Sequence, residues 1–152
     1  MKGVVMFLAR EKSTVEQLLP GLLAVLNSHT LTALEADDGR MLINLLRQYA
    51  NPGLLVSAAL GGSDVSLVSA VRIHRYIGSR CPSLAIMMTM HNHTTYCLTK
   101  AMDHSLANKD FLLSQVATDR LVFCSGFAEA RPGANILNSS VTCVSNNGHY
   151  VI

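Results

Sequence analysis

Charged side chains are scarce in this chain. Asp, Glu, Lys and Arg make up 14% of its 152 residues, against 49% apolar residues. So little charge leaves part of the surface apolar enough to be an interface. The formal net charge is only +2, and the twelve Lys and Arg are scattered without a basic block. Bulk charge therefore gives no reason to expect nucleic-acid binding. No uninterrupted apolar run reaches about eighteen residues, so no membrane span is expected. The cysteines, at 81, 97, 124 and 143, show no CxxC or other metal-ligand spacing, and no secretory leader precedes them. They read as free thiols in a reducing cytoplasm, with a Cys124–Cys143 disulfide as the alternative. GxSxG, GxGxxG and P-loop motifs are all missing, which removes the common signatures of hydrolases and nucleotide-binding enzymes. Nothing calls for a metal or other cofactor.

What is present is an alternation of apolar runs and amphipathic stretches, the pattern of a parallel sheet with helices on both faces. Residues 3–9 (GVVMFLA), 31–36, 54–60 and 84–90 (LAIMMTM), with a short run at 104–108, read as five buried strands. Ser13 and Glu16 have capping-box spacing, and Val15, Leu18, Leu22 and Val25 continue a first helix that Pro20 kinks. Leu42, Leu45, Leu46 and Tyr49 mark a second helix, ended by Asn51-Pro52-Gly53. Asp64 caps a third, with Leu67, Ala70, Ile73 and Ile77 inward and Gly78 and Pro82 as the stop. Helices over 94–102 and 110–121 complete the series. The expected fold is α/β: a flavodoxin-like, doubly wound, five-stranded parallel sheet of order 2-1-3-4-5 over residues 1–121. Residues 122–152 read as a linker and extension, with a hairpin or extended tail turning at Asn147-Gly148.

The segment ALEADDGRMLINLLRQYANPGLLVSAAL, residues 33–60, resembles response-regulator receiver domains, in particular those of LuxR-type transcription regulators. Glu35, Ala36, Asp38, Gly39, Leu42, Pro52 and Leu54 carry the resemblance. Thr89, ending the fourth strand, and Lys109, after the fifth, extend it over residues 3–121. The resemblance implies a crevice with a magnesium-binding acid pair, a phospho-acceptor aspartate, a Ser or Thr and a Lys, because phosphoryl transfer to a carboxylate needs a divalent cation. Here the acid pair is replaced by Ala9 and Arg10, or by Arg10 and Glu11 one register on. The acceptor position is Ala58, and Gly61-Gly62 stands where a Met-Pro turn is common. Only Thr89 and Lys109 remain.

The resemblance thus implies a degenerate, phosphorylation-independent receiver and not an enzyme. Its expected role is regulatory, pairing with itself or with another transcription regulator and touching no DNA or membrane through these residues. Leu22, Leu23 and Leu26, with Leu112, Leu113 and Val116, are candidates for an apolar seam or for core. The alternatives are sensing of a small anion by Arg10, Thr89 and Lys109, or a stand-alone protein that sequesters partners. His91 and His93 read as a polar loop at the crevice mouth, with a His-x-His metal site as the rival reading. Met87, Met88 and Met90 read as core filling.

Overall fold

Helix after helix packs where strands were expected. The computed structural model describes residues 7–36, 39–101, 108–123, 142, 144–146 and 149–151. Seven α-helices account for most of them: α1 (Ala9–Leu18), α2 (Pro20–Ser28), α3 (Leu31–Glu35), α4 (Arg40–Gln48), α5 (Leu67–Gly78), α6 (Pro82–Lys100) and α7 (Lys109–Thr118). Two 3₁₀ turns, Pro52–Leu55 and Ala58–Leu60, lie between α4 and α5. Strands β1 (Val144–Asn146) and β2 (His149–Val151) pair antiparallel with Asn146 opposite His149. That register leaves two connecting positions, Asn147 and Gly148, which lie outside the described residues. Among the described residues this hairpin is the whole of the β-structure, so the parallel sheet of order 2-1-3-4-5 is absent. The receiver resemblance falls with it.

Each misread strand has a local cause. At the N-terminus, residues 1–6 lie outside the described residues, Leu8 turns with φ 56°, and Ala9 already begins α1. Pro20 does not kink a helix. Leu19 leaves helical geometry with φ −137°, and Pro20 opens α2 at the first position, where its missing N–H costs nothing. The presumed second strand is α3, because the Thr30 hydroxyl accepts from Ala33 N–H (3.2 Å) and caps a run of Leu, Ala and Glu, all good helix formers. The run 54–60 is wound into 3₁₀ turns. LAIMMTM lies inside α6, whose buried positions 84, 88, 91, 92 and 95 follow helical spacing. Ser66, not Asp64, caps α5: its hydroxyl accepts from Ser69 N–H at 3.2 Å, while Asp64 sits in the left-handed region with φ 49°. The fifth strand over 104–108 falls almost wholly outside the described residues, apart from Asn108, which turns into α7.

The second helix stands largely as expected: Leu42, Leu45 and Leu46 are buried on α4, although Tyr49 is half exposed. Helix α5 packs between α1 and α6, and α4 lies against α6. Their shared core holds Val15, Leu22, Leu26, Leu34, Leu46, Leu54, Ile73, Ile77, Leu84 and Met88. Leu22, Leu23, Leu26, Leu113 and Val116 are therefore core and not seam; of those six candidates only Leu112 is exposed. An ion pair of 2.6 Å between Arg75 and the nearly buried Glu11 ties α5 to α1. Glu35, at the end of α3, reaches the start of α6: its carboxylate accepts from Ser83 N–H (3.1 Å), the Cys81 thiol (3.3 Å) and the Ser83 hydroxyl. That carboxylate caps a helix whose own N-cap residue, Cys81, makes no side-chain cap bond. Among the described residues no helix is long and apolar enough to cross a membrane.

Candidate functional site

The loop between α4 and α5 is closely knitted by backbone hydrogen bonds. Backbone bonds run from Gly62 N–H to Ser57 C=O, Ser63 N–H to Gly53 C=O, Asp64 N–H to Val56 C=O and Val65 N–H to Leu54 C=O, all 2.8–3.0 Å. The Asn51 side-chain amide adds a 2.7 Å bond to the Ser63 hydroxyl. Glycine is required at 62, because a Cβ there would lie 2.1 Å from the Val56 carbonyl oxygen. Gly61 supplies the left-handed turn at φ 85°. This knot fixes one wall of a cleft of about 570 Å³.

Leu55, Ser57, Leu60, Asp64, Val65, Ser66 and Leu67 form that wall; Tyr96, Thr99 and Lys100 from α6 and Lys109, Asp110 and Leu113 from α7 form the others. Its lysines are engaged. Lys109 Nζ donates to the Ala101 carbonyl at 2.9 Å, bridging the end of α6 to the start of α7, and Lys100 Nζ stands 5.5 Å from the Tyr96 ring centroid. Asp64 and Asp110 are exposed and make no ion pair among the described residues. The cleft therefore offers apolar surface, hydroxyls and two uncommitted carboxylates. Among the described residues its lining includes no histidine and no cysteine.

Two histidines, His91 buried on α6 and His74 half-buried on α5, organise α6. His91 is fully buried; its Nδ1 accepts from Phe123 N–H (3.0 Å), so Nε2 carries the proton and donates to the Pro52 carbonyl (2.8 Å). Burial holds its pKa below the ordinary histidine value, partly opposed by the Pro52 bond. His74 is held likewise below its ordinary value by burial. The Asn92 amide donates to its Nε2 (2.9 Å), so Nδ1–H donates to Thr89 Oγ1 (2.9 Å), which in turn donates to the Ala85 carbonyl (2.8 Å). Asn92 Oδ1 remains buried without a partner. Neither histidine belongs to a polar loop, as the sequence suggested for His91 and His93; both 91 and 93 lie within α6. Among the described residues no three His, Cys, Asp or Glu side chains cluster to hold a metal.

The expected receiver crevice is scattered. Ala9 is exposed at the start of α1, and Arg10 beside it lines a shallow groove with Val68, Val71, Arg72 and Arg75 of α5. Thr89, on α6, accepts from His74 of α5. Ala58 is exposed between two cleft-lining residues, and only Lys109 is itself a cleft residue. The stretch LLVSAALGGSD is thus part of a site, through Leu55, Ser57, Leu60 and Asp64. Asp64 was readable only as a helix cap, and Lys100 and Asp110 had no motif to mark them; the Gly61-Gly62 pair was the one local signal of a built loop.

No family model matches the chain, and no solved structure is significantly similar to it. Over 144 residues, 93% of this chain, it is 35% identical to isobutylamine N-hydroxylase of Streptomyces viridifaciens; the match spans 38% of that protein's length. The relative is an enzyme. The reading of a non-catalytic transcription-regulator domain, with its two-component and DNA-binding associations, does not stand beside that similarity and an all-helical core.

Proposed function

We propose that this chain is the helical portion of an oxygen-transferring enzyme that N-hydroxylates a small aliphatic amine. The observation that carries the reading is the 35% identity with isobutylamine N-hydroxylase sustained over 93% of the chain. The reaction converts an N–H into an N–O–H bond and oxidises nitrogen by two electrons. With dioxygen as oxidant, RNH₂ + O₂ + 2e⁻ + 2H⁺ gives RNHOH + H₂O, so a two-electron donor is also needed. Protein side chains do not activate dioxygen in this way, and a redox cofactor supplies that chemistry. This chain's part is to bind and orient.

The cleft suits that part. Leu55, Leu60, Val65 and Leu113 offer the apolar surface a branched alkyl group needs, and Asp64 and Asp110 offer carboxylates to an alkylammonium. At about 570 Å³ the cleft is several times larger than such an amine, which leaves room for a second group beside it. The free thiols of Cys81 and Cys97 suit a reducing, cytoplasmic setting.

The test is product formation. The protein is supplied with isobutylamine, dioxygen, a chemical or enzymatic reductant and a panel of redox cofactors, and the amine is followed by mass spectrometry. A hydroxylamine carrying label from ¹⁸O₂ is the expected product. An unchanged amine with every cofactor, while the Streptomyces enzyme turns over beside it, would overturn the proposal.

A further inference from the structure

Helix α6 carries a second constellation, of residues that are not among those lining the cleft. His93 and Cys97 are four residues apart on its exposed side, so they stack one turn above the other. Their side chains converge: Cys97 Sγ lies 3.6 Å from His93 Nε2. Zinc binds thiolate sulfur at about 2.3 Å and imidazole nitrogen at about 2.0–2.1 Å, so two such donors on one tetrahedral ion stand about 3.6 Å apart. The pair is already at ligand spacing.

The other histidines of this helix pair are spent. His91 and His74 have both ring nitrogens hydrogen-bonded, whereas His93 makes no other hydrogen bond among the described residues. Cys81 is buried and bonded to Glu35, and burial pushes its thiol up; Cys97 is exposed. The scaffold beneath is rigid, since Glu35 caps the start of α6 and His91 anchors its middle. Holding both donors on a fixed helix lowers the ordering cost of capturing an ion.

We propose that His93 and Cys97 form a two-donor site for a divalent cation of the zinc class. On binding, the Cys97 S–H bond breaks and its proton passes to solvent. Sulfur and Nε2 each donate an electron pair to the metal, and water fills the remaining positions. No third His, Cys, Asp or Glu completes the set among the described residues, so the ion exchanges and a chelator removes it. Because a proton leaves, binding weakens as pH falls. Occupancy staples one turn of α6 and masks the exposed thiol.

The experiment alkylates the full chain with iodoacetamide after EDTA treatment, with and without ZnCl₂, and follows the Cys97 peptide by mass spectrometry. At ten times the dissociation constant, zinc slows modification of Cys97 about tenfold, and EDTA restores it. Magnesium gives no protection, because thiolate and imidazole suit it poorly. His93→Ala and His93→Gln, each checked for helical circular dichroism, need far more zinc for the same protection. Protection unchanged in both variants, or none at millimolar zinc, overturns the proposal. Co²⁺ provides an independent readout: thiolate-to-metal absorption appears in the unmodified protein and is lost in Cys97→Ser. Absorption that persists in Cys97→Ser places the metal on another thiol and also overturns it.

Discussion

His91 and Phe123 hold each other twice. The Phe123 N–H donates to His91 Nδ1 at 3.0 Å, and the two rings stack with centroids 5.9 Å apart and planes 28° from parallel. With Nε2 bonded to Pro52, one side chain fastens the segment after α7 to α6 and to the loop that walls the cleft. His91→Ala removes both bonds and opens a cavity, and is expected to cost about 2–4 kcal/mol in urea unfolding. His91→Phe restores the stacking volume but leaves the Phe123 N–H and Pro52 C=O without their partner, and should recover only part of that loss.

The same histidines make stability depend on pH. Burial depresses the pKa of His74 and of His91 in the folded chain, so the neutral forms are favoured there. Their contribution is fully present above the unfolded value of about 6.5 and is lost as pH falls toward the lower folded values, because the unfolded chain then binds protons the folded one refuses. Urea midpoints measured from pH 8 to pH 5 should decline below about 6.5. The decline should be shallower in His91→Phe. An equal slope in both proteins would remove His91 from the explanation.

Two glycines should respond oppositely to alanine. A Cβ at Gly62 meets the Val56 carbonyl oxygen at 2.1 Å and its carbonyl carbon at 2.5 Å, so the loop must open. Gly62→Ala is expected to cost about 3 kcal/mol or more and to distort the cleft wall. Gly78 is the last residue of α5, and its Cβ would stand 3.7 Å from the Ala85 methyl, in ordinary contact. Gly78→Ala should be neutral or stabilise by up to about 1 kcal/mol through helix propensity. Thermal melts of the two variants make the comparison.

Glu35 governs the start of α6 through a carboxylate. Its pKa lies below the ordinary carboxylate range, first because the Ser83 hydroxyl donates to it, then through the Ser83 backbone N–H, with burial opposing. A depressed carboxylate contributes above its unfolded pKa and loses that contribution as pH falls through the folded value. The melting temperature should therefore drop in the acid range below about pH 4.5 in the unmodified protein. In Glu35→Gln it starts lower at neutral pH and falls less on acidification. Ser83→Ala should mimic the neutral-pH loss.

Sequence periodicity located helices better than it separated them from strands. The spacing Leu42, Leu45, Leu46 is unambiguous, because alternation in a strand would not bury all three. LAIMMTM is seven residues long and mostly apolar, too short for its period to be read alone; joined to HNHTTY it shows the helical burial of Leu84, Met88, His91 and Thr95. LLVSAAL fits a buried strand equally well until Gly62, whose close approach to Val56 exists only in the folded loop. The receiver resemblance followed from reading such runs as strands. The cleft was less legible still. Its carboxylates and lysines come from three segments, the loop before α5, the end of α6 and the start of α7, and neither Lys100 nor Asp110 lies in a motif that spacing could mark.

The amine reading makes a graded prediction for the cleft. Asp64 and Asp110 are exposed, so each contributes a solvent-screened attraction to an alkylammonium, of order 0.2–1 kcal/mol. Asp64→Asn and Asp110→Asn should each raise KM for the amine about two- to fivefold, with kcat little changed, because the lost attraction acts on binding. The effect should shrink at high salt, as expected for exposed charge. Leu113 is 2% exposed and packs on Val116 in the smaller core cluster, so Leu113→Ala should lower stability as well as weaken amine binding. The aspartate variants should melt like the unmodified protein. A fall in kcat with unchanged KM in the aspartate variants would place these carboxylates in the oxygen-transfer step and not in amine binding.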